Sequence, residues 1–116
     1  MMTLLQIALG GAIGSVLRYV TVSAVSAPIG TLIVNVLGSL VMGALFVILT
    51  SRPHLSPLLM TGILGGFTTF SAFSLDALKL WQGGQMLPAL AYVAGSVLFS
   101  LIAVALGAAL AREALL

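Results

Sequence analysis

Residues 62–74 read Gly62-Ile63-Leu64-Gly65-Gly66-Phe67-Thr68-Thr69-Phe70-Ser71-Ala72-Phe73-Ser74, inside an apolar run that extends roughly from Leu58 to Trp81. A run of that length crosses a bilayer, which takes about 20 apolar residues. Its interior is a poor helix, because a glycine pair is followed by two β-branched threonines. Two readings stand. The helix is continuous and the glycines only allow close packing, or it breaks and frees backbone carbonyls at mid-membrane. Freed carbonyls need an internal partner in lipid, and a bound cation is one candidate.

Three more apolar runs surround this one, roughly 4–24, 31–49 and 86–111, so the 116 residues form a single domain of four spans, residues 1–116. Ser26-Ala27-Pro28-Ile29-Gly30 makes the first turn. The most polar connection is Thr50-Ser51-Arg52-Pro53-His54-Leu55-Ser56-Pro57, and Trp81-Gln82-Gly83-Gly84-Gln85 makes the third. The small-residue stretch Ala24-Val25-Ser26-Ala27 has the look of a signal cleavage site. The start of the chain lacks a basic segment and the apolar run is too long, so we read it as a retained first helix. No segment alternates polar and apolar residues with period two, which excludes a β-barrel.

The chain is 61% hydrophobic and 5% charged, with mean hydropathy +1.31. Soluble domains carry about a quarter charged residues, so a soluble enzyme, a nucleic-acid binder and a disordered tail are all excluded. The chain has no cysteine and a single histidine, His54, so neither disulfides nor a thiolate or histidine metal cluster is available. With four spans, Arg52 and Arg112 fall on one side of the membrane and Arg18 and Lys79 on the other. Basic residues normally collect on the cytoplasmic side. This two-against-two balance reads either as a weak signal or as insertion of copies both ways. Gly10-x-x-x-Gly14, Ser39-x-x-x-Gly43 and Gly62-x-x-x-Gly66 allow close helix approach. Taken singly they suit packing within one chain. Taken with the balanced charge they favour an antiparallel homodimer.

Polar groups at membrane depth are costly unless paired or functional. Phe70, Phe73 and Ser74 share a face by i, i+3, i+4 spacing. The positive edges of two rings turned into a dry passage favour an anion; the plainer reading is two packing or lipid-facing phenylalanines. Thr31, Asn35, Gly38 and Ser39 fall on one stripe, where the Asn35 amide serves either a pathway or a helix–helix hydrogen bond. Tyr92, Ser96 and Ser100 form a polar line at i, i+4, i+8. The serines could bond back to their own helix instead, and Tyr92 could anchor at the interface. Arg18 either snorkels or gives an entrance a positive potential. Asp76 stands three residues before Lys79, which predicts an ion pair. No acid or histidine lies inside the other three spans, which argues against proton-coupled transport and for a passive conduit.

These residues resemble the CrcB/Fluc fluoride channel family. The likeness covers essentially the whole chain. It is carried by Gly10-Gly11-Ala12-Ile13-Gly14-Ser15-Val16-Leu17-Arg18-Tyr19, by Gly30-Thr31-Leu32-Ile33-Val34-Asn35-Val36-Leu37-Gly38-Ser39, by Gly62 to Phe73 and by Tyr92-x-x-x-Ser96-x-x-x-Ser100. The resemblance implies an all-α membrane protein with a broken third helix, forming an antiparallel dual-topology homodimer with two parallel fluoride pores. It implies a structural Na+ at the dimer centre, held by backbone carbonyls matching Gly65 and Thr68. It assigns the fluoride-coordinating rings to Phe70 and Phe73 and the pore-lining amide to Asn35. Ser71, Ser74, Tyr92, Ser96 and Ser100 match a polar track, Thr31 matches it less closely, and Arg18 matches a basic vestibule residue. Position 72 is Ala, where the family often has Thr. The implied activity is passive export of cytoplasmic fluoride through the cell (inner or plasma) membrane, with lipid, fluoride and a second copy as partners. The alternative class, a small dual-topology drug or cation transporter of four helices, would be expected to carry a membrane-embedded glutamate in its first span, and none is present. A purely structural subunit would not need the Gly65-to-Phe73 pattern.

Overall fold

A computed structural model describes residues 2–116; Met1, which the one-domain reading includes, lies outside them. The described residues are helical almost throughout: α1 (Met2–Val25), α2 (Ile29–Ile48), α3 (Gly65–Phe67), α4 (Phe70–Gln82) and α5 (Met86–Leu115). Two 3₁₀ turns, Leu49–Ser51 and Pro53–Leu55, carry the connection to the third span, where Arg52 and His54 are exposed. Four segments are long and apolar enough to cross a membrane: Met2–Val25, Ile29–Ser51, Pro53–Gln82 and Met86–Leu115. Each runs a little beyond the limits read from hydropathy, because helical hydrogen bonding continues past the last apolar residue. The longest dimension of the molecule, 48 Å, matches a 30-residue helix such as α5 at 1.5 Å per residue.

The third span is not a regular helix. It begins with a π-helical stretch, Pro57–Leu64, passes through the single turn α3, and breaks at Thr68 and Thr69 before restarting as α4. Thr68 (φ −83°, ψ 156°) and Thr69 (φ −153°, ψ 120°) are extended. The break therefore lies near the middle of the span, as the glycine–threonine composition suggests. The glycines themselves stay helical: Gly65 has φ −61° and ψ −36°. The threonines make the break, since β-branching favours extended backbone.

Packing rests on helix pairs that nearly touch at the backbone. The α2–α5 pair is the most extensive, and α1 lies against the Pro57–Leu64 segment and α3. A methyl group on Gly14 would strike the Ile63 carbonyl, and one on Gly10 would come within 2.8 Å of the Gly62 Cα. On Gly66 it would meet the Gly11 carbonyl at 2.6 Å, and on Gly43 it would strike the Val104 carbonyl. All three small-residue motifs are thus consumed inside one chain. This is the reading the motifs suit taken singly: each has an intramolecular partner helix whose backbone one of its glycines approaches.

Candidate functional site

The break leaves backbone groups without their helical partners, and side chains take up part of the demand. The Thr69 N–H donates to Asn35 Oδ1 at 2.7 Å, and Asn35 Nδ2 donates to the Thr69 carbonyl at 2.9 Å. One amide from α2 therefore grips both faces of a single peptide residue. Thr69 also caps α4, its hydroxyl accepting from the Ala72 N–H at 3.1 Å, as threonines do at helix starts. In a continuous helix the Thr69 N–H would go to the Gly65 carbonyl, and the Ala72 N–H to the Thr68 carbonyl. Side chains have taken both donors, so these two carbonyls lose their helical partners. They are the pair that the family resemblance implies as cation ligands.

Beside the break lies a cavity of about 400 Å³ lined by Asn35, Thr68, Phe70, Phe73, Ser96 and Ser100 among others. Gly38, also on its wall, is required small: a methyl there would strike the Thr68 side chain. The Phe70 and Phe73 rings sit 5.4 Å apart, tilted at 50°, and Phe73 meets Tyr92 at 5.3 Å and 45°. Phe73 is 8% exposed and Phe70 77% exposed. The cavity is thus closed by protein on one side only, and Phe70 forms its open lip. Ser96 Oγ is buried with no hydrogen-bond partner. A back-bonded serine would have one, so Ser96 does not follow the back-bonding pattern.

The remaining sequence candidates are placed differently. Ser71 Oγ stands 3.4 Å from the Thr69 hydroxyl. Ser74 is exposed and donates back to the Phe70 carbonyl at 2.9 Å. Thr31 is buried, only 1% exposed, and is not on the cavity wall. Arg18 is half-buried on α1, which packs on α2 and the first half of the third span and, among the described residues, not on α4 or α5. The expected Asp76–Lys79 ion pair does not form. Lys79 is exposed, while Asp76 is buried and accepts from the Tyr92 hydroxyl at 3.2 Å. Helical spacing offered Lys79 a place beside Asp76, but the flexible lysine reaches outward and the fixed phenol of α5 faces the carboxylate. Tyr92 is accordingly buried between helices and is not an interfacial anchor.

A profile described as CrcB-like protein, Camphor Resistance (CrcB), matches residues 5–108. The chain belongs to the CrcB-like family. It is 52% identical to the fluoride-specific ion channel FluC of Paracoccus denitrificans (strain Pd 1222), over 95% of this chain and 94% of that protein. It is 50% identical to the fluoride-specific ion channel FluC of Cereibacter sphaeroides (strain ATCC 17029 / ATH 2.4.9) over the same shares. The protein of that name from Ruegeria sp. (strain TM1040) is 46% identical over 99% of this chain and 98% of its own length. In this CrcB-like chain, Thr69 and Asp76 are the site-forming residues that sequence reasoning passed over. Thr69 had a local signal, a capping hydroxyl just before the helix restart. The partner of Asp76 had none, because it lies sixteen positions away on another helix.

Proposed function

We propose that this CrcB-like protein is a fluoride-selective channel that lets cytoplasmic fluoride leave the cell passively across the inner or plasma membrane. One observation carries the reading: Phe70, Phe73, the Asn35 amide and Ser96, whose hydroxyl has no partner, line a single cavity beside the break. Asn35 spends its carbonyl and one amide hydrogen on Thr69, which leaves one N–H for an anion. Fixed donors and ring edges in a passage of low dielectric replace the hydration shell of a small hard anion. The pathway runs past Phe70 and Phe73 and along Ser96 and Ser100. Tyr92, Thr31, Ser71 and Ser74 lie alongside as supporting polar groups, and Arg18 attracts anions from a distance. The protein acts as a conduit; none of these groups is asked to make or break a covalent bond.

The functional unit is an antiparallel, dual-topology homodimer. A cavity open on one side, with an exposed Phe70 at its lip, would place polar groups against lipid unless a second copy covers it. The Gly65 and Thr68 carbonyls of each copy are the oxygen set for a structural Na+ at the dimer centre. Hard oxygen donors suit a hard cation, and both carbonyls have lost their helical donors to Asn35 and Thr69. The ion would lock the two breaks together.

Purified protein in liposomes is expected to release fluoride and retain chloride when each gradient is tested separately. Comparable chloride release would sink the proposal. Within that assay, Phe70→Ile and Phe73→Ile should each slow fluoride efflux about tenfold or more. The ring contact is worth about 0.5–1.5 kcal/mol beyond area in ordinary packing and more against a bare anion, and about 1.4 kcal/mol makes a decade. Both variants should still elute as dimers, since Gly65 and Thr68 are untouched. Normal efflux from both would make the rings packing residues.

A further inference from the structure

The chain has two acidic residues. Glu113 is exposed near the C-terminus, whereas Asp76 is buried within the third span. A carboxylate at membrane depth persists only with a partner, and its partner is the Tyr92 hydroxyl at 3.2 Å. Phe73 and Asp76 stand at i, i+3 on α4 and therefore on one side of it. Both meet the same tyrosine, Phe73 through its ring at 5.3 Å and Asp76 through the hydroxyl. One phenol on α5 thus holds α4 at two points a turn apart.

The break explains why such a grip is needed. A continuous helix would fix the rotation of its second half through its first. At Thr68 and Thr69 that mechanical link is cut, so α4 takes its rotation from side chains. Asn35 fixes its start through Thr69, and Tyr92 fixes the turn that carries Phe73. The hydrogen bond from the phenol to the buried carboxyl oxygen is directional, and it orients the ring against which Phe73 lies.

We propose that Asp76 is a positioning residue: by holding the Tyr92 hydroxyl it sets the orientation of the Phe73 ring in the anion passage, without touching the ion. The role rests on the fluoride-channel reading. Phe73 presents an edge only at the angle that Tyr92 imposes. Loss of the grip therefore degrades selection as well as throughput.

The test uses the full chain in liposomes, with D76A, Y92F, the double variant and D76N, measuring fluoride efflux, chloride efflux and thermal unfolding in detergent. Either change removes the hydrogen bond and leaves one buried polar partner unsatisfied, so D76A and Y92F should each slow fluoride about tenfold and raise the chloride-to-fluoride ratio several-fold. The double variant should be no worse than the poorer single one, since both remove one interaction. D76N keeps an acceptor oxygen for the phenol and should stay within about twofold of wild type. Additive losses, or an unchanged ion ratio in D76A beside a lowered unfolding temperature, would overturn the role and leave a purely structural contact. A D76N channel much faster than wild type would also overturn it, because the charge would then be what matters. Wild-type protein that passes no fluoride would sink the channel reading and this role together. A conducting wild type with an unaffected D76A sinks this role alone.

Discussion

Gly107→Leu is expected to yield no folded protein, and Gly107→Ala a markedly less stable one. A methyl group at Gly107 would strike the Leu40 carbonyl and come within 3.1 Å of the Ala44 N–H. The reciprocal contact is as close, with Gly43 facing the Val104 carbonyl and the Ala108 N–H. These neighbours are backbone atoms of helices, so no rotamer change relieves the clash, and α2 and α5 must move apart. Each overpacked methylene costs about 1–3 kcal/mol where a core can adjust. This seam cannot adjust without losing the most extensive helix pair in the molecule. Against a total stability of about 5–15 kcal/mol for ordinary domains, a leucine exhausts the margin. The control is Gly11→Ala, because a methyl there meets nothing within 4 Å. Gly11→Ala should match or slightly exceed wild type, alanine being the better helix former by up to about 1 kcal/mol. Expression, elution profile and unfolding temperature in detergent decide the matter. Equal behaviour of Gly107→Leu and Gly11→Ala would refute the close-approach account.

Asn35→Ala is the second large effect, and it falls on function more than on folding. The substitution removes both hydrogen bonds to Thr69 at once, those of 2.7 and 2.9 Å. It leaves a peptide N–H and a carbonyl unpaired at the edge of the cavity. Each unsatisfied group costs about 1–3 kcal/mol, so the broken conformation loses about 2–6 kcal/mol relative to any alternative that re-pairs them. The natural alternative is a more continuous third helix, in which the Thr69 N–H returns to the Gly65 carbonyl. That change would rotate Phe70 and Phe73 away from the cavity and withdraw a carbonyl from the proposed cation site. Fluoride efflux should fall about a hundredfold or more, while helix content by circular dichroism stays constant or rises. Asn35→Asp should fare little better. Its carboxylate still accepts from the Thr69 N–H, but it has no donor for the carbonyl and brings a negative charge to the proposed anion passage. Wild-type efflux from Asn35→Ala would separate Asn35 from the break and leave Thr69 to maintain it alone.

The residues of the third span show where local reading succeeds. Gly65-Gly66-Phe67-Thr68-Thr69 announced an interruption because helix propensity is a local property, and the interruption is there. The choice of threonine over glycine as the residue that leaves the helix was less legible. The glycines hold helical angles because α1 approaches so closely that only a residue without a side chain fits at Gly66. Contacts with α1 and α5 likewise place glycines of the small-residue motifs at seams within one chain. Ser74 and Ser96 show the same limit. Both belong to regular polar patterns, yet one hydroxyl folds back onto its own helix and the other is left unpaired in a cavity. Periodicity gives the side of a helix a residue occupies, not what the neighbouring helix puts opposite it.

By itself, then, the sequence determined the four spans, the membrane as solvent and the family, and marked where the third span could break, because apolar length, helix propensity and ordered motifs are carried by neighbours along the chain. Tertiary structure alone decided that Asn35 grips both faces of Thr69, that Asp76 turns to Tyr92 instead of Lys79, and that Ser96 keeps a free hydroxyl beside Phe70 and Phe73. In lipid each of those groups must find its partner inside the protein, and the partners come from other helices whose rotation and depth are fixed only when backbone packs against backbone at glycine.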